Sequence, residues 1–263
     1  MDFFSDLKGR RAVVTGACGV IGRWLVETLR DAGCDICVTD ARGSEADALI
    51  ADLSLSPGSF AHAADLTDEA SITALAEAIG ARWGAADILV NNAGIYPSGF
   101  LVDITTEEFD RIFSINLRAP FILTKALAIQ MIQKGVKGSV INISSGASRK
   151  MRRTVVPYCT SKTALDRLTK GFAVELAEFG IRVNALEPGF AAGSTVSDLT
   201  EEHIRNTVAG IPLGRPSSRQ DVGNALLYLA SDASAYVTGS TLTVDGGNSI
   251  GSLAVHQAKK TPL

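Results

Sequence analysis

Short, continuous runs of Val, Ile and Ala alternate along the chain with longer stretches of helical pattern, and this rhythm limits the fold more than any other feature. Strand-like runs are Arg11–Thr15, Ile36–Thr39, a weaker Phe60–Ala63, Asp87–Val90, Ser139–Ile143, Ile181–Ala185 and Thr241–Val244. Helical patterns fall at about 19–32, 44–55, 68–83, 105–134, 158–179, 200–209 and 219–230. Asp68 is placed to cap the third of these, and Thr105 or Thr106 the fourth. Strands that read as continuous apolar runs are covered on both faces. Repeated strand–helix units therefore predict an α/β protein with a doubly wound parallel sheet. No Pro/Gly/Ser-rich linker divides residues 1–263, which read as a single domain with a core of about 8–248 and a tail at 249–263.

Composition narrows the function classes. Apolar residues make up 46% of the 263, enough for a substantial core. A net charge of −3 and a pI near 5.7 argue against non-specific nucleic-acid binding, which needs a basic face. No uninterrupted apolar run of membrane-spanning length occurs. The first residues carry Asp2 and Asp6 before any basic residue, unlike a secretory signal, so the expectation is a cytoplasmic protein. Cys34 and Cys37 form a CxxC pattern, but residues three apart on a strand point to opposite faces. His62, His203 and His256 are scattered without metal-ligand spacing.

The first strand runs into Thr15-Gly16-Ala17-Cys18-Gly19-Val20-Ile21-Gly22 and then a helix. Glycines there let the backbone approach a pyrophosphate, and the helix start offers free N–H groups to the anion. Gly16, Gly19, Ile21 and Gly22 are the candidate contacts; the plain alternative is an ordinary tight turn. Asp40 ends the second strand, where a carboxylate can accept from both ribose hydroxyls and repel a 2′-phosphate. That favours NAD over NADP, although Arg42 nearby could face a phosphate. Asp65 and Leu66, after the third strand, are candidates for the adenine edge.

Tyr158 and Lys162 stand four apart on a helical segment and share a face. An ammonium beside a phenol lowers the phenol's pKa toward neutrality, where it can give and take a proton. Ser145, just past the strand ending at Ile143, could hydrogen-bond the reacting oxygen. The plain alternative is a Tyr and a Lys on an amphipathic helix.

Taken in order, the glycine turn, Asn91-Asn92-Ala93-Gly94, Ser145, Tyr158 with Lys162, Pro188-Gly189 and Val244-Asp245-Gly246-Gly247 carry a resemblance over about residues 8–248. The chain resembles the short branch of the short-chain dehydrogenases/reductases. That resemblance implies a Rossmann-like fold and hydride transfer between a nicotinamide dinucleotide and an alcohol or ketone. It implies Tyr158 as acid/base, Lys162 tuning it and holding the nicotinamide ribose, Ser145 on the reacting oxygen, and Asn116 holding a water behind Lys162. Asn92, Ala93 and Gly94 resemble the segment beside the adenine ribose and central sheet, and Pro188 and Gly189 the turn beside the nicotinamide. A homotetramer paired through the helices near 105–134 and 157–179 is also implied.

Two features depart from the family pattern. Val20 stands where the short branch commonly has its middle glycine, and Gly19 supplies one a place earlier, as in the epimerase-like branch. Gly193 stands where a carboxamide-binding Thr is common, with Ser194 and Thr195 just beyond. Arg149, Lys150, Arg152 and Arg153 crowd the loop between Ser145 and Tyr158; they could receive an acidic substrate, against the plainer reading of a solvated loop or subunit contact. Tyr96 and the 190–210 segment are the other expected pocket walls, the latter as a lid. Cys159 is expected simply to pack. The leading reading is an NAD-dependent dehydrogenase of a polyol, sugar or hydroxy acid. The alternatives are an epimerase with retained NAD and a non-enzymatic dinucleotide sensor.

Overall fold

Val13, Val14, Leu89, Val90, Val140 and Ile141 are all fully buried, the fate of aliphatic runs in strands covered on both faces. They belong to a seven-stranded sheet in the computed structural model, which describes residues 5–192, 200–251 and 253. The strands are β1 (Arg11–Thr15), β2 (Asp35–Asp40), β3 (Phe60–Ala63), β4 (Ile88–Asn91), β5 (Ser139–Ile143), β6 (Arg182–Pro188) and β7 (Thr241–Val244). Their order is β3-β2-β1-β4-β5-β6-β7, and every pair is parallel. The helices are α1 (Val20–Asp31), α2 (Gly43–Asp52), α3 (Glu69–Trp83), α4 (Thr106–Phe113), α5 (Ala119–Lys134), α6 (Val156–Leu176), α7 (Glu201–Ala209) and α8 (Arg219–Ala230).

Alternate strand residues feed two cores. Val14, Val38, Val90 and Ile141 pack with Leu25 and Leu29 of α1 and Val222 and Leu226 of α8. Val13, Leu89, Val140 and Val183 pack on the other face with Ile72 and Leu75 of α3, Leu123 and Leu127 of α5, and Ala173 of α6. Cys34 lies in the first core and Cys37 in the second, each thiol pushed up to about 12 by burial, so the two cannot pair. A buried polar ladder registers the second layer. The Asn91 amide donates to Asn142 Oδ1 (2.8 Å) and Thr124 Oγ1 (3.0 Å), and the Asn142 amide to Thr169 Oγ1 (2.8 Å).

Caps set several helix starts. The Asp68 carboxylate accepts from Ala70 N and Ser71 N at the start of α3. Thr105 and Glu108 form a reciprocal capping box at α4, and Ser218 and Asp221 another at α8. Strand β6 runs on to Pro188, past the predicted Ala185, because β7 pairs with it from Ala185 to Pro188. The span 106–134 is continuous but contains a π-helical turn at Ser114–Arg118. Pro120 has no N–H to donate to the Asn116 carbonyl four residues earlier, and its ring crowds that carbonyl, which widens the turn there. Thr106–Lys134 has the length and mean hydropathy (1.4) of a membrane-crossing helix, yet it lies along the second core against α3.

The strand order reverses between β1 and β4. The loops leaving their carboxyl ends diverge, and the crevice between them is where such sheets bind ligands.

Candidate active site

The glycine turn follows β1 at that crevice. Gly16 has φ +60°, and a Cβ on it would lie 2.8 Å from Ala93 Cα. A Cβ on Gly22 would lie 2.1 Å from the Gly16 carbonyl oxygen. These two positions demand glycine for close backbone packing. Gly19 is different: a Cβ there would make ordinary contact with the Gly16 carbonyl oxygen at 3.5 Å, so packing does not demand glycine at this position. Helix α1 begins just after it with no side-chain cap and no acidic residue in its first turn. Ile21 is half-buried and braces the turn against the first core.

Asn92 clips the β4 loop to this turn. Its amide donates to the Thr15 carbonyl (2.9 Å) and the Gly16 carbonyl (3.0 Å), while Thr15 Oγ1 accepts from Asn92 N and Ala93 N, each at 3.0 Å. Its polar side chain is thus spent on the scaffold, and Ala93 forms the wall that Gly16 touches. At the end of β2 the Asp40 carboxylate accepts from Cys18 N and Arg42 N, both at 3.2 Å, and from Arg42 Nε at 3.2 Å. Arg42 also pairs with Glu45 at 2.8 Å. These residues fit a dinucleotide: an uncapped helix start without acidic residues for the diphosphate, and a nearly buried acid at the β2 end for a ribose diol. Asp65 is exposed and occupied locally, accepting from Thr67 N (2.9 Å) and Thr67 Oγ1 (2.7 Å), bonds that hold its carboxyl below the usual range. Leu66 packs partly into the second core.

The second cluster gathers around the start of α6. Pro157 helps set the first turn, and Tyr158 and Lys162 lie one turn apart on the same face. Ser145, after β5, accepts from Ala147 N (3.2 Å) and acts on the Tyr158 phenol, opposing the rise that burial causes. Lys162 is buried, and its Nζ donates to the Ile143 carbonyl at 2.7 Å. Gly94 leaves space before it; a Cβ there would lie 3.5 Å from Lys162 Nζ and 3.4 Å from Asn116 Oδ1. Asn116 sits in the widened turn. Its Oδ1 accepts from Ile95 N (2.9 Å), and its Nδ2 donates to the Ile95 carbonyl (2.9 Å) and Ser161 Oγ (3.1 Å). It therefore does not bond its own helix; it ties the loop after Gly94 to α6.

Burial pushes the Tyr158 phenol up, opposed by Ser145 and by the charge of Arg152, while Lys162 Nζ lies 5.8 Å from the ring centroid. Burial also depresses Lys162, to about 8, against the pull of Asp166. An ammonium fully out of water is itself penalised, and its one hydrogen bond goes to a backbone carbonyl, which does not offset the loss of hydration.

Pro188 ends β6 opposite Val244, and Gly189 N donates to the Val244 carbonyl at 2.8 Å. A Cβ on Gly189 would lie 2.5 Å from Ser217 Oγ and 2.8 Å from Asp245 Cα, so this glycine serves close packing against the β7 end. Gly193, Ser194 and Thr195 lie outside the described residues, as does most of the tail beyond Ile250.

Several residues of this region carried no expectation from sequence. Glu187, fully buried at the end of β6, accepts from Ser148 Oγ (2.8 Å), Arg149 Nη2 (2.7 Å) and Thr243 Oγ1 (2.8 Å). Ser144 Oγ donates to Asp166 at 2.5 Å, and burial pushes that acid up. A charge inside an apolar strand run was the available signal for Glu187. The ring of Tyr96, one of the expected walls, lies 5.8 Å from the ring of Tyr158, centroid to centroid.

A family model described as Enoyl-(Acyl carrier protein) reductase matches residues 16–249. The sorbitol dehydrogenase of Cereibacter sphaeroides is 34% identical over 253 residues, covering 92% of this chain and 98% of the relative. The L-xylulose reductase of Homo sapiens is 38% identical over 244 residues, covering 92% and 97%. The solved gluconate 5-dehydrogenase of Burkholderia cenocepacia J2315, in complex with NADP and tartrate, superposes with a TM-score of 0.87 at 33% identity, covering 95% of this chain and 98% of that one.

Proposed function

The chain belongs to the short-chain dehydrogenase/reductase family and is an oxidoreductase of alcohol and ketone groups; we propose that it interconverts a secondary alcohol of polyol, sugar or hydroxy acid type and its ketone, with NAD and with Tyr158 as acid/base. The observation that carries this reading is Tyr158 with Ser145 acting on its phenol and Lys162 one turn on, at the same sheet edge as the glycine turn. When bound, the dinucleotide supplies the hydride acceptor or donor. Gly16, Gly19, Gly22 and the start of α1 would hold its diphosphate, and Asp40 its adenosine ribose. Asp65 and Leu66 stay candidates for the adenine edge, Asn92, Ala93 and Gly94 for the segment beside the adenine ribose, and Lys162, Pro188 and Gly189 for the nicotinamide side.

In oxidation the Tyr158 oxygen takes the alcohol proton; in reduction it returns one to the forming alcohol. Ser145 hydrogen-bonds the reacting oxygen where charge develops. Lys162 would hold the nicotinamide ribose, and Asn116 a water that links Lys162 to solvent and passes the proton on. NAD is favoured by Asp40, whose buried charge opposes a 2′-phosphate. Arg42 beside it and the NADP in the gluconate 5-dehydrogenase structure are the weights on the other side.

We further propose a homotetramer that uses the faces of α4–α6. A groove of about 740 Å³ runs there between Phe113, Leu117, Phe121, Ala164 and Leu168, and Val174 is 80% exposed on α6.

The test is a panel of polyols, sugars and hydroxy acids with NAD and with NADP, followed by absorbance of the reduced dinucleotide. Alcohol-dependent reduction is expected, and it also separates a dehydrogenase from an epimerase. No reduction with any alcohol and either dinucleotide would sink the reading.

A further inference from the structure

Lys162, Asp166 and Thr169 stand at positions i, i+4 and i+7 of α6 and so share one face, and each holds a successive residue at the end of β5. Thr169 Oγ1 accepts from the Asn142 amide (2.8 Å), Lys162 Nζ donates to the Ile143 carbonyl (2.7 Å), and the Asp166 carboxylate accepts from Ser144 Oγ (2.5 Å). A fourth contact continues the seam past the strand, where Thr163 Oγ1 donates to the Ser148 carbonyl at 2.7 Å. An apolar seam would join helix to strand without fixing each residue. Hydrogen bonds are directional, and a fully bonded polar seam fixes the register.

Asp166 is the least expected member of that seam. It is half-buried and makes no ion pair among the described residues. A carboxylate drawn out of water needs a donor, and a hydroxyl at this distance makes a charge-assisted bond. Ser144 is thereby fixed from two sides, its N donating to the Leu186 carbonyl of β6 (2.8 Å) and its hydroxyl to α6. On the far side of Ser145, the Ser148 hydroxyl donates to the buried Glu187 (2.8 Å), which also holds Arg149 (2.7 Å). Ser145 therefore stands between two serines, each bound to an acid on a different element. Gly146 beside it has no room to shift, since a Cβ there would lie 2.7 Å from Ser249 Cβ. Lys150 Nζ, bonded to the Asn248 carbonyl at 2.9 Å, closes the same side. Ser145 itself makes a local bond within its own turn, accepting from Ala147 N at 3.2 Å, so its place is set by its neighbours.

We infer that Asp166 is a positioning residue for the reaction: by holding the Ser144 hydroxyl it fixes the strand end from which Ser145 meets the reacting oxygen. This rests on the oxidoreductase reading above. Asp166 touches neither substrate nor dinucleotide in this role and acts through Ser144. A group that hydrogen-bonds developing charge works only when it is already in place, so the acid contributes to the transition state by holding its neighbour still.

The experiment measures wild type, Asp166→Ala, Asp166→Asn, Ser144→Ala and the double variant Asp166→Ala with Ser144→Ala, on the best alcohol and dinucleotide of the panel above. Asp166→Ala and Ser144→Ala should each lower kcat by about 10- to 100-fold while KM for the dinucleotide stays within about threefold. The double variant should fall no further than the slower single, because both changes remove the same bond. Asp166→Asn keeps an acceptor for the hydroxyl and should recover most of kcat. Thermal melting verifies folding, and where Asp166→Ala does not fold, Ser144→Ala and Asp166→Asn carry the decision. Ser144→Ala with kcat within about threefold of wild type overturns the assignment. So do single losses that multiply in the double variant, or an Asp166→Asn as slow as Asp166→Ala, which would trace the effect to the charge beside Lys162. Each of these leaves the oxidoreductase reading intact. Wild type that binds dinucleotide yet oxidises no alcohol overturns the parent reading and this one with it.

Discussion

The Lys162 ammonium donates to the Ile143 carbonyl 2.7 Å away and lies 5.8 Å from the centroid of the Tyr158 ring, so its direct bond is to the end of β5 and not to the phenol. Burial acts on the two groups in opposite senses, pushing the phenol up and the ammonium down to about 8. What pulls the phenol back is Ser145 and the Arg152 charge. In this arrangement Lys162 anchors the first turns of α6 to β5, and its charge is a cost that the fold carries.

That cost has a pH signature. Lys162 titrates near its ordinary 10.5 in the unfolded chain and at about 8 in the fold. Below pH 8 both states hold the proton and the burial penalty is fully present. Between those values the unfolded chain binds more protons, so raising the pH stabilises the fold. Near pH 10.5 the penalty is gone. Against a Lys162→Met variant, wild type should gain about 3 kcal/mol between pH 7 and pH 10.5. Urea melts of both proteins across that range measure it, and a constant difference would mean that the lysine keeps its ordinary affinity for the proton.

Tyr158→Phe removes one oxygen and leaves the ring beside Tyr96. The tilted ring contact, the glycine turn and Asp40 are untouched, so dinucleotide affinity should stay within about threefold of wild type, while kcat falls by about 100- to 10,000-fold. Fluorescence titration and steady-state rates separate the two quantities. Turnover that survives the change would remove Tyr158 from the proton path.

Asp40→Ala bears on the dinucleotide choice. The acid now holds the Arg42 guanidinium at 3.2 Å as well as two backbone N–H groups. Its loss removes the repulsion of a 2′-phosphate and releases Arg42 toward one. The ratio of kcat/KM for NAD over NADP should fall by about tenfold or more. An unaltered ratio would clear Asp40 of that role.

How much of this was legible in the sequence follows from range. Strand positions were readable because a doubly covered parallel strand carries its own burial signal, as Val140 and Ile141 do. The extension of β6 to Pro188 was not, since it depends on pairing with β7, and its charged Glu187 hides the pattern. Glycine at positions 16 and 22 had a local cause that sequence could suggest, whereas Asn92 could be placed beside the adenine ribose and central sheet but its bonds to the Thr15 and Gly16 carbonyls, 77 and 76 residues away, could not be read. The widened turn at Asn116 was written in Pro120, four residues on, and went unread. Which of the four loop cations are occupied could not be seen, because the partners of Arg149 lie 38, 94 and 100 residues away. The electrostatics of Tyr158 and Lys162 required their burial, which spacing alone does not report.

The groove along α4–α6 predicts assembly. Phe121 is 43% exposed on its edge, with its ring 5.9 Å from that of Phe172. If copies pair there, a charge at this position is desolvated without a partner and the contact fails. Phe121→Asp should shift the sedimenting species from tetramer to dimer or monomer at micromolar concentration. A wild type that sediments as a monomer would dismiss the assembly outright.

Arg149 is a loop cation whose work is internal. Its guanidinium is 42% exposed, while the Glu187 carboxylate that it meets is fully buried. Arg149→Ala leaves that acid with only the Ser148 and Thr243 hydroxyls. A buried carboxylate stripped of its cation would cost several kcal/mol, but the exposed partner is screened and two hydroxyls remain, so about 1–2 kcal/mol is the expected loss of stability. Adding Glu187→Gln should recover part of it, because the neutral amide no longer requires a counter-charge. Equal stability of Arg149→Ala and wild type would show that the ion pair contributes nothing to the fold.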